Sequence, residues 1–281
     1  MPDATDVCPV CGGSLRSVFR KNVLSRYYIE YFECSGCELV TTEDPYWLDE
    51  AYSSAISNLD TGLVQRNIQM SEFAASLIVN HFNPTGVFLD FAGGYGLFVR
   101  LMRDKGFNFY WRDKYCKNIF ASFFSHSDSM ASYDLVTAFE LFEHLSDPRH
   151  EMEELAKITD TILLTTQIRP SSISEVEQWW YLVPETGQHV TFYSLQALRI
   201  LAEQVGMKLY TDGQSTHIIS AKRSLPVFER QSSSPGALLK RVAKRIGRLA
   251  ALEPRPEPMM ESLIWSDHQT IKEALKSKLQ G

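Results

Sequence analysis

The chain has 281 residues, 44% of them hydrophobic and 12% aromatic, enough for one large packed domain or two smaller ones. Its formal net charge of −6 removes the bulk electrostatic support that a nucleic-acid partner would need. No apolar run is long enough to span a bilayer, and the opening MPDATDVCPV lacks the charged-then-apolar layout of a signal peptide, so a soluble, cytoplasmic protein is expected.

The cysteines come first in the chain. Cys8, Cys11, Cys34 and Cys37 form two CxxC pairs, and Cys116 stands alone. In a reducing compartment such pairs point to a metal site rather than to disulfides. A CxxC turn aims its thiolates at one point while backbone N–H groups steady the sulfurs. Joined through the alternating strand YYIEYFE, the two knuckles offer the four-sulfur tetrahedron that zinc prefers. With every position a thiolate, no coordination site is left for water. The expectation is therefore structural Zn2+ in a small zinc-ribbon-like module over residues 1–45.

Residues 46–225 alternate between helical and strand patterns. Apolar positions Leu63, Ile68, Phe73, Leu77 and Ile78 predict a helix within 46–82. The run VFLDFAGGYG predicts a buried strand ending in a glycine turn, and LFVRLMRDKG a helix closed by Gly106. FNFYWRDKY and YDLVTAFEL predict further strands, DPRHEMEELAKIT a helix starting near Pro148, and TILLTTQ another buried strand. SLQALRILAEQVG predicts an amphipathic helix with Ser194 as N-cap and Gly206 at its end. MKLYTDG and THIISAKR pair as a terminal hairpin around Asp212 and Gly213. This alternation predicts an α/β fold, a Rossmann-like, doubly wound and mostly parallel sheet with a closing antiparallel hairpin.

From residue 226 to 281 the pattern changes to a helical extension. RQSSSPG reads as a linker, ALLKRVAKRIGRLAAL as a basic amphipathic helix, EPRPEP as a break and SLIWSDHQTIKEALKSKL as a last helix. The cluster Lys240, Arg241, Lys244, Arg245 and Arg248 could touch phosphates or a membrane surface, but the more ordinary reading is a solvated helix face packed on the domain or a homo-oligomer contact.

In an open parallel sheet, ligands sit at the carboxyl ends of the strands. Gly93, Gly94 and Gly96 let the backbone approach a ligand closely, and the following helix offers N–H groups and a positive dipole. Asp90 sits just before the turn, and Asp113 ends the next strand about twenty residues on, where an acid can accept ribose hydroxyls. At this point FLDFAGGYGLFVRLMRDKGFNFYWRDK resembles the first motif and second-strand acid of class I S-adenosylmethionine-dependent methyltransferases. YDLVTAFELFEHLSDP is similar to their fourth-strand signature. The resemblance implies seven strands, with the closing hairpin as the reversed last pair. It also implies S-adenosylmethionine over Asp90, Ala92, Gly93, Gly94 and Gly96, with Asp113 on the ribose and with Phe139 and Glu140 facing the cofactor. Ala92 stands where the family most often has a glycine, and Asp128 is a candidate for the adenine.

Methyl transfer to a hydroxyl needs the acceptor aligned and its proton removed. ELFEH places Glu140, Glu143 and His144 past the fourth-pattern strand, and His144 titrates in the range of a general base. Its alternative is a structural role capping or packing the next helix. Beyond the fifth strand, Trp179, Trp180, Tyr181, Gln188 and His189 supply the stacked aromatics, amide and imidazole that a sugar or flat polar ring asks of a site. Aromatics roofing the sheet are the plainer alternative. His189 is a second candidate base, with Gln188 orienting the acceptor and Glu140 a third catalytic candidate. WWYLVPETGQH also resembles methyltransferases of bacterial surface-polysaccharide gene sets. The expectation is O-methylation of a sugar or glycan-type small molecule. Alternatives are a C-methyltransferase on a nucleotide sugar, an RNA methyltransferase (basic residues cluster at 16–26 and 240–248), or a non-catalytic binding module of the same fold.

Overall fold

The computed structural model describes residues 7–53, 59–127, 130–225, 227–228 and 260–280. Asp128, the linker, the basic amphipathic helix and the proline-rich break lie outside the described residues.

The N-terminal segment builds a small sheet. Strand β1 (Leu15–Val23) pairs antiparallel with β2 (Tyr27–Cys34), and the register shifts between Ser17 and Phe19. Ile29 and Tyr31 point inward while Tyr28 is exposed, the alternation that a half-buried strand imposes. Strand β3 (Val40–Thr42) pairs with β2, and the fourth strand of this sheet comes from far along the chain: β8 (Thr191–Phe192) pairs with β3.

The larger sheet is mixed. It contains β4 (Val87–Phe91), β5 (Asn108–Arg112), β6 (Leu135–Phe139), β7 (Thr161–Thr165), β9 (Lys208–Thr211) and β10 (Thr216–Ser220), in the order β5-β4-β6-β7-β10-β9. The first four are mutually parallel, whereas β10 runs antiparallel to both β7 and β9. The strand count departs from the expected seven: among the described residues there are six. Beyond β5 the chain makes a single parallel bridge, Trp111 to Ser125, carried by Trp111 N–H to Phe124 O (2.8 Å) and His126 N–H to Trp111 O (2.7 Å). The cause is local. Asn118 accepts from Ala121 N–H at 2.9 Å and donates to Ala121 O at 2.8 Å, coiling that segment into turns instead of extending it.

The helix expected within 46–82 is two helices, α1 (Leu48–Ala51) and α2 (Leu63–His81). Asp60 and Gly62 precede α2, and Asp60 holds the Arg66 guanidinium with both carboxylate oxygens, at 3.1 and 2.7 Å. Helix α3 (Leu97–Asp104) follows the glycine turn, and α4 (Pro148–Ile158) starts with proline at its first position under an Asp147 cap. Helix α5 (Ile173–Glu177) opens on a capping box between Ser172 and Glu175. Helix α6 (Leu195–Gln204) is capped as expected, the Ser194 hydroxyl accepting from Ala197 N–H at 3.0 Å. In the last helix, α7 (Ile264–Gln280), Asp267 is buried against Arg103, which donates to it at 2.8 and 2.7 Å. This part of the C-terminal extension therefore docks on its own chain. Gly106, with φ +93°, makes room for it, since a β-carbon there would collide with the Glu261 carbonyl.

Two apolar layers cover the larger sheet. One packs α2 and α3 around Phe88, Phe98 and Phe109. The other joins α4 and α6 to the cysteine knuckles, with Cys8, Cys34, Cys37 and Leu39 in one cluster with Tyr193, Leu198 and Leu201. Each such buried side chain contributes about 1.5–3 kcal/mol. Polar ties cross the same boundary. The Val10 carbonyl accepts from Arg149 and Gln204, both at 2.8 Å, and the Ser194 hydroxyl donates to Cys37 O at 2.5 Å.

Candidate functional site

The carboxyl ends of β4, β5 and β6 open into a cleft of about 960 Å3. The turn after β4 forms its floor. Gly94 has φ +54° and Gly96 φ +84°, conformations that suit glycine, but Ala92 holds φ +56° with a β-carbon attached. Gly93 is required for a different reason, because a β-carbon there would lie 2.6 Å from Asp90 Oδ2 and 2.9 Å from the Trp111 ring. The loop is pinned from β5: Trp111 Nε1–H donates to Gly94 O at 2.8 Å, and Asp113 Oδ2 accepts from Gly94 N–H at 2.9 Å.

Asp113 Oδ1 accepts from Tyr115 N–H and Cys116 N–H, each at 2.7 Å. The carboxylate thus has one acceptor position left, on Oδ2. Asp113 therefore holds the glycine loop against β5 and keeps an acceptor position open toward the cleft.

Two carboxylates, Asp90 buried and Glu140 half-buried, face the cleft with no salt-bridge partner among the described residues. Asp90 accepts from the Thr137 hydroxyl at 2.6 Å, and Glu140 from the Thr165 hydroxyl at 2.8 Å. Burial pushes each up to about 7, with the Asp113 and Glu143 charges, respectively, adding to it. Glu140 stands at φ +49°, a second non-glycine residue in the left-handed region at a strand end.

The opposite wall gathers most of the expected acceptor residues. His144, Trp180, Tyr181, Gln188 and His189 line the cleft together with Asp90, Ala92, Gly93, Gly94, Asp113, Phe139 and Glu140. Two expected residues do not. Trp179 packs instead into the apolar cluster under the small sheet, 6.2 Å from the Phe192 ring. Gly96 caps α3 behind the loop, where a β-carbon would strike Asn118 Oδ1. Trp180 is 70% exposed, so it borders the cleft rather than closing it.

The two imidazoles meet edge to face at 4.8 Å. His144 Nδ1 lies 3.1 Å from Gln188 O and 2.9 Å from the Tyr52 hydroxyl, and His189 Nδ1 lies 2.7 Å from Tyr181 O. A carbonyl only accepts, so His189 Nδ1 carries the proton and its Nε2 keeps the lone pair; the same tautomer of His144 has Nδ1–H shared between Gln188 O and an accepting Tyr52 hydroxyl and leaves its Nε2 free. Burial, then the neighbouring His189 ring, pushes His144 down to about 3, and burial also lowers His189. Burial thus favours the neutral form of both rings.

Glu143, already placed beside His144 by the sequence, is joined by Tyr52 and Arg66, which sequence reasoning missed. Glu143 lies fully buried beneath the histidines, Tyr181 donating to its Oε1 while Oε2 has no hydrogen-bond partner. Tyr52 stacks on Tyr115 at 4.8 Å over the cleft, and Arg66 enters it from α2. Neither Tyr52 nor Arg66 carried a local signal, since each reaches the cleft from a helix or helix end distant in the chain.

The cysteine cluster is a separate centre. Cys8 and Cys37 sulfurs lie 3.6 Å apart, Cys11 and Cys34 sulfurs 3.3 Å, and all four fall within 4.8 Å of one another. A tetrahedral zinc with bonds of about 2.3 Å sets its sulfurs roughly 3.8 Å apart. Gly13 N–H and Gly36 N–H donate to the Cys11 and Cys34 sulfurs at 3.4 and 3.3 Å. The donor set fits zinc.

A parallel sheet whose first strand turns through glycines into a helix, above an acid-lined cleft, defines the class of α/β enzymes that bind a nucleoside-containing cofactor. Residues 66–211, 146 of the 281, match the family described as "Methyltransferase domain", and the chain belongs to that family of S-adenosylmethionine-dependent methyltransferases. No curated protein matches the sequence. Among solved structures, the chain is similar to the N-terminal domain of EvdMO1 with bound SAH, at 14% identity and TM-score 0.42, covering 58% of this chain and 85% of that one. It is also similar to magnesium protoporphyrin IX methyltransferase (ChlM) from Synechocystis PCC 6803 with bound SAH, at 14% identity and TM-score 0.41, covering 64% and 96%. A third, CalO1, a methyltransferase in calicheamicin biosynthesis, has 13% identity and TM-score 0.37, with 64% and 60% covered. No described helix is long and apolar enough to cross a membrane.

Proposed function

We propose that this chain O-methylates a hydroxyl of a sugar or glycan-type small molecule. The cofactor supplies a methyl group activated by the positive charge on its sulfur. The chain's own groups fit that cofactor. Phe91 and Phe139 offer apolar wall, Asp113 Oδ2 one acceptor position, and Asp90 and Glu140 one buried and one half-buried carboxylate for a cationic ligand.

The observation that carries the acceptor reading is the pair of Nε2 lone pairs on His144 and His189, set beside Glu140 and the exposed Trp180 ring. Lone pairs fixed by backbone carbonyls accept from hydroxyl protons, and the indole gives a sugar ring an apolar face. Glu140, poised near 7, is the better-matched proton acceptor. The Cys8, Cys11, Cys34 and Cys37 sulfurs hold structural zinc in this reading, and the protein works in the cytoplasm.

The test is a transfer assay with radiolabelled cofactor against nucleotide-linked sugars, free glycans and bulk RNA. Label in a sugar hydroxyl, stable to base, supports the proposal. Label on carbon or in RNA selects one of the alternatives and overturns it.

A further inference from the structure

Glu143, His144 and His189 each present one donor atom, and these atoms lie within 4.8 Å of one another. What singles the trio out is how the rest of each side chain is held. His144 Nδ1–H is tied to Gln188 O, His189 Nδ1–H to Tyr181 O, and Glu143 Oε1 accepts from the Tyr181 hydroxyl. Those anchors leave His144 Nε2, His189 Nε2 and Glu143 Oε2. The last is a fully buried carboxylate oxygen that meets no donor at hydrogen-bonding geometry, with the equally unpartnered Thr166 hydroxyl as its polar neighbour, so it has capacity for a further ligand. Metal-ligating histidines share this arrangement, the far ring nitrogen fixed by a carbonyl so that the near one faces the ion.

We propose that Glu143, His144 and His189 form a divalent metal site in the wall of the cleft, separate from the four-cysteine centre. Two imidazoles and one carboxylate suit a first-row ion between Mn2+ and Zn2+, not the oxygen-only preference of Ca2+ or the soft thiolate set. Both histidines line the cleft and Glu143 backs them, so the ion's remaining positions face the acceptor space. Those positions take two neighbouring oxygens of the acceptor, a vicinal diol or a hydroxyl beside a carbonyl. An ion held there would acidify a hydroxyl beside it, taking the place of direct hydrogen bonds to the two imidazoles; the hydroxyl's proton would pass to Glu140 and its O–H electron pair would stay on the oxygen. The role in acceptor binding rests on the O-methyltransferase reading, whereas the site itself rests on the geometry alone.

The test uses the purified full chain and Mn2+, whose preference for oxygen and nitrogen spares the thiolates, read by loss of the free-ion paramagnetic resonance signal. One Mn2+ per chain is expected, with at least tenfold weaker binding in Glu143→Gln, His144→Ala and His189→Ala taken separately, and no change in His150→Ala, an exposed histidine elsewhere on the cleft rim. Calorimetry with S-adenosylhomocysteine on every variant reports that the cleft is folded. No Mn2+ bound by a chain that binds S-adenosylhomocysteine overturns the metal site and leaves the methyltransferase reading standing. Mn2+ affinity unchanged in the three variants, or lowered equally in His150→Ala, also overturns it. Mn2+ bound as expected, with label never reaching oxygen, overturns the acceptor role together with the O-methylation reading and leaves the metal site standing.

Discussion

Asp113 Oδ2 accepts a hydrogen bond from Gly94 N–H at 2.9 Å, so an acid at the end of β5 sets the shape of the turn that leaves β4. With Tyr115 and Cys116 on its other oxygen, this carboxylate organises backbone from both sides of the cleft. Asp113→Ala removes three charge-assisted acceptor contacts, each worth about 1.5–3 kcal/mol when the freed donor stays dry. Affinity for S-adenosylhomocysteine should fall at least tenfold by calorimetry, with the unfolding midpoint lowered as well. Near-normal affinity would rule out a part for Asp113 in the loop.

Ala92 sits at φ +56°, where an L side chain costs about 1–2 kcal/mol. Ala92→Gly should therefore raise the free energy of unfolding by roughly 1 kcal/mol, with the urea slope unchanged. A drop in stability would mean that the methyl group packs against something worth more than the strain.

Asp90 and Glu140 are raised to about 7, so each is largely neutral below that pH and ionised above it. A cationic ligand favours the ionised form. Cofactor affinity should then be full above about pH 7.5 and decline as pH falls through 7, and Asp90→Asn should flatten the dependence. Affinity that rises on acidification contradicts the sign.

Arg169 donates to Glu33 Oε1 at 2.7 Å, and its side chain is 3% exposed. Arg169→Met leaves Glu33 with Arg16 as its remaining partner, on a far more exposed guanidinium. A loss of about 1.5–3 kcal/mol is expected from chemical denaturation, since Glu33 gives up a buried charged partner while keeping an exposed one. A change under 1 kcal/mol would show the joint to be incidental.

Elemental analysis should find one tightly held zinc per chain. Because the cysteine knuckles share an apolar cluster with Leu198 and Tyr193, chelation should lower the melting of the larger sheet too. A separate early transition, with the main one unmoved, would argue against that coupling.

Local chemistry was legible in the sequence. The Ser194 cap, the Pro148 start of α4 and the CxxC turns each announce themselves over three or four neighbouring residues. The Gly93–Gly96 turn was legible as a turn, but the reason for Gly93 was not, because it depends on where Trp111 and Asp90 stand. Trp179 and Trp180 are adjacent and chemically alike, yet one is packed inside and the other lies 70% open, a choice made by distant Phe192. The Tyr181–Glu143 contact joins residues 38 apart in the chain, beyond the reach of any local pattern. The missing outer strand was hidden by Asn118, whose side chain competes with ladder formation.

The pairing of β3 with β8 has a practical bearing on anyone who would cut this chain into pieces. Trimming away the cysteine-bearing segment strips Thr191 and Phe192 of their neighbour and bares the hydrophobic residues beneath, Tyr181, Leu182 and Val190 among them. An unsatisfied strand over greasy surface is a template for self-association. A catalytic fragment made that way should clump rather than work.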